Sequence, residues 1–230
     1  MDKNINHEII QAVIKNHVKY KLRNNKYPNA NKNIPAYKRI TYNGNTFHHN
    51  RILMALKPTI YKFRIALTDM NQDYYDSLNL TIAQHPSESE DRMMARVLAF
   101  CLNAQPGLQF TKGLSSIEEP DIWLKSLDDQ IQVWIEAGEP DPERIKKATR
   151  LAKQVKVYSF NTKSDVWWKQ NQTKFSQLKA EVVRFDNVGI QDFSKMIART
   201  LDIGVMLSGN SAYISADNSQ CEISWETLQE

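Results

Sequence analysis

Cysteine is scarce in this sequence, and the signals for membrane insertion and secretion are missing. Cys101 and Cys221 are the two cysteines among 230 residues. They lie far apart in apolar runs, so we expect buried side chains in a reducing compartment rather than a disulfide. No run of about 18 apolar residues predicts a membrane span, and the N-terminus lacks the apolar core of a secretory signal. We therefore expect a cytoplasmic protein.

Several ligand-binding motifs are also missing. The sequence contains neither a P-loop, nor a Gly-rich dinucleotide turn, nor a Cys/His metal cluster. A nucleotide site or a zinc site of the common kinds is therefore not predicted.

Acidic residues are scarce in residues 1–53. This stretch contains 10 Lys and Arg residues but only Asp2 and Glu8, whereas residues 54–230 contain 20 Lys and Arg against 24 Asp and Glu. We predict a poorly ordered basic extension over residues 1–53; the alternative is a basic arm that contacts nucleic acid or acidic lipid. The acidic balance of residues 54–230 argues against tight, nonspecific binding to duplexes. The alternative is a local basic groove.

Strand and helix patterns interleave from residue 54 onward. Apolar residues alternate over 61–67 and 78–82, which is typical of strands. Ser87 with Glu90 forms a capping box, and Asp141 before Pro142 marks another helix start. Three short strands follow residue 200, which predicts a β-meander. The predicted fold is a single α/β domain over residues 54–230, with a mixed central sheet flanked by helices and a C-terminal β-meander.

Two acids lie at matching positions of a predicted central hairpin, residues 119–138. If Asp128 and Asp129 form the turn, Trp123 faces Trp134 and Asp121 faces Glu136. Opposed side chains in such a pair are roughly 4.5–5.5 Å apart at Cβ, so two like charges destabilise the hairpin unless a cation lies between them. Mg²⁺ is commonly held by one or two carboxylates and substrate phosphate. The alternative is that Asp121 merely enters a strand and Glu136 is exposed near a strand end.

The order helix, two-stranded unit, helix, with Pro120-Asp121 and Glu136-x-Gly138 at the strand ends, resembles the core of the PD-(D/E)xK nuclease superfamily. The resemblance implies that Asp121 and Glu136 hold Mg²⁺ and that a helical acid, here Glu90, joins them. The sequence departs from the motif at Gly138, where a lysine is expected. Arg144 and Lys147 at the next helix start are the candidate replacements, or they form a solvated cationic face.

Two further basic residues are candidates for binding substrate phosphate. Arg92 lies on the capped helix, one turn before Arg96, and Lys112 lies in a loop that contains Gly113. The alternatives are a salt bridge from Arg92 to Glu88 and a solvated loop lysine.

The chain resembles the YaeQ family more closely than a generic nuclease. The motifs include Glu-Pro-Asp-Ile-Trp123 and Trp-Ile-Glu-Ala-Gly138, together with residues 54–62, 85–88, 91–94, 99–102, 110–115 and 166–168. The resemblance extends over residues 54–230 and implies a bacterial cytoplasmic protein with a variant PD-(D/E)xK fold. It does not imply one activity.

Two functional hypotheses follow. In the first, the chain is a Mg²⁺-dependent phosphodiesterase acting on nucleic acid, with Asp121 and Glu136 as metal ligands and Arg144 or Lys147 stabilising developing charge. In the second, it is a non-catalytic member of the fold that binds nucleic acid or a protein, for example a transcription-related one.

Overall fold

The computed structural model describes residues 40–42, 45–47, 57–113 and 118–230. The chain divides into two units, residues 1–55 and residues 56–230. In the first unit, strands β1 (Ile40–Tyr42) and β2 (Asn45–Phe47) pair antiparallel. The predicted poorly ordered extension over residues 1–53 otherwise lies outside the described residues.

The second unit contains ten strands and four helices within its described part. In chain order they are β3 (Thr59–Asp69), β4 (Tyr74–Gln84), α1 (Glu90–Leu102), β5 (Leu108–Phe110), β6 (Ile122–Lys125), β7 (Ile131–Ala137), α2 (Pro142–Leu151), β8 (Ala152–Ser159), α3 (Ser164–Phe175), β9 (Glu181–Phe185), α4 (Asn187–Lys195), β10 (Thr200–Ser208), β11 (Ser211–Ala216) and β12 (Ser219–Gln229). The strands form one mixed sheet in the order β4-β3-β10-β11-β12-β9-β8-β7-β6-β5.

The sheet curls into a nearly closed, barrel-like form because strands from its two ends share one core. Ten strands spaced about 4.8 Å apart would span roughly 43 Å if flat. Every strand nevertheless contributes a side chain to a single cluster, from Ile82 in β4 at one end to Leu108 in β5 at the other. Helices α1 and α4 fill the interior of the curl with Met94, Leu98, Ile190 and Phe193.

A second core lies on the opposite face of β7, β8 and β9. There α2 and α3 pack Ile145, Ala148 and Phe175 against Trp134 and Val157. Helices therefore cover both faces of this part of the sheet, where β7, β8 and β9 run parallel. No described helix combines the length and apolar character needed to cross a membrane.

The α/β prediction is confirmed, as are the mixed sheet and the C-terminal β-meander of β10, β11 and β12. The predicted hairpin register is confirmed at Trp123 opposite Trp134, with an irregularity between Leu124 and Lys125.

Two predicted boundaries are wrong. The N-cap of α1 is Ser89 rather than Ser87, because the Ser87 hydroxyl lies 2.7 Å from His85 Nδ1 and Glu88 turns inward. The sequence pattern over residues 190–200 predicts a helix, but α4 ends at Lys195, since Thr200 begins β10, which pairs parallel with β3.

Gly189 provides a test of the packing of α4. A Cβ atom at this position would lie 2.7 Å from the Glu222 carbonyl oxygen and 3.0 Å from Ile223 Cα. We expect Gly189→Ala to lower the free energy of unfolding by about 1–3 kcal/mol, although alanine favours helices over glycine by up to about 1 kcal/mol. Val188→Ala, at an exposed position of the same helix, is the control and should change stability by less than about 0.5 kcal/mol. Urea unfolding measures both; a stabilised Gly189→Ala protein would contradict the tight contact.

Candidate functional site

The two predicted acids lie together where the central hairpin ends. Ile122 opposite Ile135 is the last regular pair of β6 and β7. One residue further, the Asp121 N–H donates to the Ile135 carbonyl oxygen at 3.0 Å, and the Ala137 N–H donates to Asp121 Oδ2 at 2.8 Å. The Asp121 carboxylate therefore lies over the end of β7, beside Glu136. Open α/β sheets bind ligands at such carboxyl ends of parallel strands.

Arg92 of α1 holds Asp121 from the helix side. Its Nη2 donates to both carboxylate oxygens of Asp121 at 2.8 Å, and its Nη1 donates to Glu88 Oε1 at 2.7 Å. Asp121 is 1% exposed. Burial works against the charge of Arg92, but the charges of Asp121 and Glu88 more than offset it and raise the pKa of this guanidinium. Arg92 is thus an ion-pair partner of the predicted metal ligand.

Arg96, one turn further along α1, is 2% exposed and lies deeper still. Its Nη1 donates to both oxygens of Glu88, at 2.8 and 2.9 Å. Its Nε lies 3.6 Å from Asp121 Oδ1 and has no hydrogen-bond partner within the described part of the chain. Phe110 stacks beside the guanidinium at 5.4 Å, and a Cβ at Gly113 would be 3.7 Å from it. Arg96 is therefore fixed by packing on several sides.

Glu136 is held from the opposite side by α2. Arg144 donates to Glu136 Oε1 through Nε at 2.8 Å and forms an ion pair with it through Nη2 at 2.7 Å. The same Nη2 also donates to the Glu119 carbonyl oxygen at 2.8 Å, and Trp134 Nε1 donates to Glu136 Oε1 at 2.9 Å. Arg144 thereby ties β7 to the segment that leads into β6.

The site contains two groups of ion pairs, one of four residues and one of two, which together we name the arginine–carboxylate cluster: Glu88, Arg92, Arg96 and Asp121, and Glu136 and Arg144. Burial raises the pKa of Glu136 to about 7, with a further contribution from the charge of Asp121 and an opposing one from Arg144. The influence of Asp121 on Glu136 agrees with their closeness at the end of β7.

The structure brings together only some of the candidate residues. Asp121, Glu136, Arg92 and Arg144 belong to the cluster, whereas Glu90, Lys112 and Lys147 have exposed side chains. Glu90 is the first residue of α1, and the acid that enters the cluster is Glu88 instead. The spacing of Glu88, Arg92 and Arg96 at i, i+4 and i+8 is the signal for this arrangement, because it predicts one shared face; sequence alone did not indicate that the face is buried.

The residues of the cluster do not fit a divalent cation as they are arranged. Magnesium requires near-octahedral oxygen ligands, and both Asp121 oxygens and Glu136 Oε1 already accept hydrogen bonds from N–H groups. In the described residues, no group of three or more His, Cys, Asp or Glu side chains could hold a metal ion. A cation would first have to displace guanidinium groups.

Comparison with known proteins gives consistent matches. The model of the family described as YaeQ protein matches residues 54–225. "Uncharacterized protein YaeQ" from Escherichia coli K12 is 36% identical over 179 residues, which cover 77% of this chain and 99% of the relative.

Two solved structures have the same fold. The YaeQ protein from Xanthomonas axonopodis pv. citri has a TM-score of 0.73 and 29% identity, covering 75% of this chain and 98% of that one. The YaeQ protein from Pseudomonas syringae has a TM-score of 0.72 and 32% identity, covering 75% and 97%.

The buried ion pairs predict a large cost for removing one charge. In Arg96→Met the buried carboxylate of Glu88 loses two hydrogen bonds, and we expect the free energy of unfolding to fall by about 3–5 kcal/mol. Arg64→Met is the matched control, because Arg64 and Asp202 form an ion pair with side chains 63% and 57% exposed, which should contribute less than about 1 kcal/mol. Urea unfolding compares the two variants; equal losses would show that Arg96 is not structurally essential.

The raised pKa of Glu136 predicts a pH-dependent stability. Between the ordinary value of 4.5 and about 7, folded Glu136 keeps a proton that the unfolded chain has released. The free energy of unfolding should therefore fall as pH rises through this range, by at most about 1.4 kcal/mol per pH unit, and level off above it.

Glu136→Gln removes the titrating group, so the difference in stability between wild type and variant isolates its contribution. We expect that difference to change between about pH 5 and pH 7, as measured by urea unfolding in constant ionic strength. A difference that does not vary with pH would show that Glu136 titrates normally.

Proposed function

The chain belongs to the YaeQ family, and we propose that it is a non-catalytic binding protein whose retained acids stabilise the fold. The observation that carries this proposal is that guanidinium groups hold both predicted metal ligands. Asp121 is bound by Arg92 through both oxygens, and Glu136 is bound by Arg144.

The free energy needed to replace Arg92 by a magnesium ion at Asp121 supports this proposal. A magnesium ion that displaced Arg92 from Asp121 would leave this arginine with Glu88 as its acid partner, and removing one partner of a buried pair costs up to about 3–5 kcal/mol. The ion would therefore bind more weakly than it would at two free carboxylates. The cluster already supplies the positive charge that the hairpin acids require.

Gly138 supports the same conclusion. Its φ of 118° lies in a region that residues with side chains rarely adopt, although a Cβ there would meet no atom within 4 Å. The motif lysine is absent from a position whose backbone conformation disfavours any side chain. Arg144 of α2 reaches Glu136, and its charge is used in that ion pair.

The charge distribution favours a protein partner over nucleic acid. Residues 54–230 contain four more acidic than basic residues, 24 against 20, and the three arginines of the cluster are already paired. Nonspecific affinity for nucleic acid comes mainly from basic side chains that neutralise phosphates. We therefore expect this surface to bind nucleic acid weakly. A transcription-related protein remains one such partner.

A Mg²⁺-dependent phosphodiesterase of the PD-(D/E)xK kind is the second candidate. The observation in its favour is the register that places Asp121 opposite Glu136 at the carboxyl end of β7, and the charge of Asp121 helps to raise the pKa of Glu136. No catalytic step follows from the present arrangement, because the cluster does not fit the ion.

Metal titration distinguishes the two candidates. Isothermal titration calorimetry compares Mg²⁺ and Mn²⁺ binding to wild type and to Asp121→Asn. We expect no saturable binding to wild type that is lost in the variant. Glu90→Gln, which removes an exposed acid outside the cluster, is the control for weak surface binding. Assays on single- and double-stranded DNA and RNA should show no metal-dependent cleavage. Metal binding lost in Asp121→Asn but kept in Glu90→Gln, together with cleavage, would establish the second candidate instead.

A further inference from the structure

Strand β4 is a long edge of the sheet that no other described strand covers. It ends the strand order, and its 11 residues pair with β3 without a bulge. Proteins usually protect such edges with proline, lysine or a bulge, but β4 has Asp76 as its one charged residue and no proline or glycine. Its backbone forms no hydrogen bond to a further strand in the described residues.

The direction of the free backbone groups follows from the pairing of β3. The Lys62 N–H donates to the Arg199 carbonyl oxygen on the β10 side. Because backbone groups alternate along a strand, the odd-numbered residues of β3 bond to β4. Phe63 opposes Leu80 and Ile65 opposes Leu78, so the even-numbered residues of β4 bond inward.

The odd-numbered residues therefore direct their N–H and C=O groups to the open edge: Tyr75, Ser77, Asn79, Thr81 and Ala83. One hydrogen bond agrees independently with this assignment. The Ser77 N–H donates a hydrogen bond at 2.7 Å to the carboxylate of Asp76, the preceding residue. All five of these residues are exposed, so the edge is accessible along its length.

We propose that two copies of the chain pair antiparallel through β4, with a twofold axis at Asn79. This register opposes Tyr74 to Gln84 of the second copy and so overlaps all 11 residues. It also makes the odd-numbered residues the hydrogen-bonded pairs, as their outward groups require: Asn79 with Asn79, Ser77 with Thr81, and Tyr75 with Ala83.

The side chains favour a second copy as the occupant of this edge. Leu78 and Leu80, both half-buried, oppose each other across the axis and extend the apolar inner face of the sheet. Asp76 opposes Ile82 rather than its own copy, so no like charges meet. On association, the Ser77 N–H would donate its hydrogen bond to a carbonyl oxygen of the second strand instead of to the Asp76 carboxylate. This association does not rest on the proposed function.

Sedimentation velocity and light scattering of the full chain, from about 1 to 300 μM, test the proposal. We expect the mass to rise to twice the 26.7 kDa of the monomer. Asn79→Lys places two ammonium groups together at the axis and should keep the protein monomeric. Met206→Lys adds the same charge to the outer face of β10, an interior strand, and should leave the dimer intact. Thermal unfolding checks that both variants fold.

Disulfide trapping tests the register. With Cys221→Ser as background and Cys101 buried, Asn79→Cys brings two thiols to a paired position, where Cα atoms about 5.5 Å apart suit a disulfide. Tyr75→Cys places its two copies about 27 Å apart. We expect oxidation to crosslink the first variant and not the second. A wild type that is monomeric throughout, a dimer that survives Asn79→Lys, or crosslinking of Tyr75→Cys would each overturn the proposal.

Discussion

The requirement that buried charges be paired governs the centre of this molecule. The register of the hairpin places the backbone of Asp121 opposite Glu136 at the end of β7. Two buried carboxylates in this region need compensating positive charge, since an unpaired buried ion costs several kcal/mol. Arg92 and Arg96 supply it from α1, and Arg144 supplies it from α2. The helices are thereby fixed to the hairpin by ion pairs as well as by apolar packing.

This pairing changes the chemistry available at the sheet edge. Acids at the carboxyl ends of parallel strands are suited to hold a cation and a phosphate, and the resemblance to PD-(D/E)xK nucleases rests on that feature. Here the guanidinium groups occupy the oxygens that an ion would use. Removing one partner of these buried pairs is expected to be costly, and the feature that the site shares with a metal centre is the position of its acids.

The curl of the sheet brings the first strands of the domain into contact with its C-terminal strands. Strand β3 pairs in parallel with β10, so that Arg64 lies opposite Asp202, 138 positions later in the sequence. The C-terminal meander then continues to β12, which pairs with β9. Because the sheet closes around α1 and α4, a single core spans strands that a flat sheet would separate widely. The curl leaves β4 as an edge with eleven residues and little protection.

Local patterns in the sequence determined the element types, the meander and the register around Trp123 and Trp134, because period-2 alternation and turn residues act over a few positions. They also placed Asp121 and Glu136 near each other. The tertiary structure alone decided what those acids bind. Helical spacing places Arg92 and Arg96 on one face of α1 but does not show that this face is buried or which element it meets, so their contacts with Asp121 depend on how the helix docks. The inward turn of Glu88, the exposure of Glu90, and the pairing of β3 with β10 follow from the same long-range packing, which no local pattern encodes.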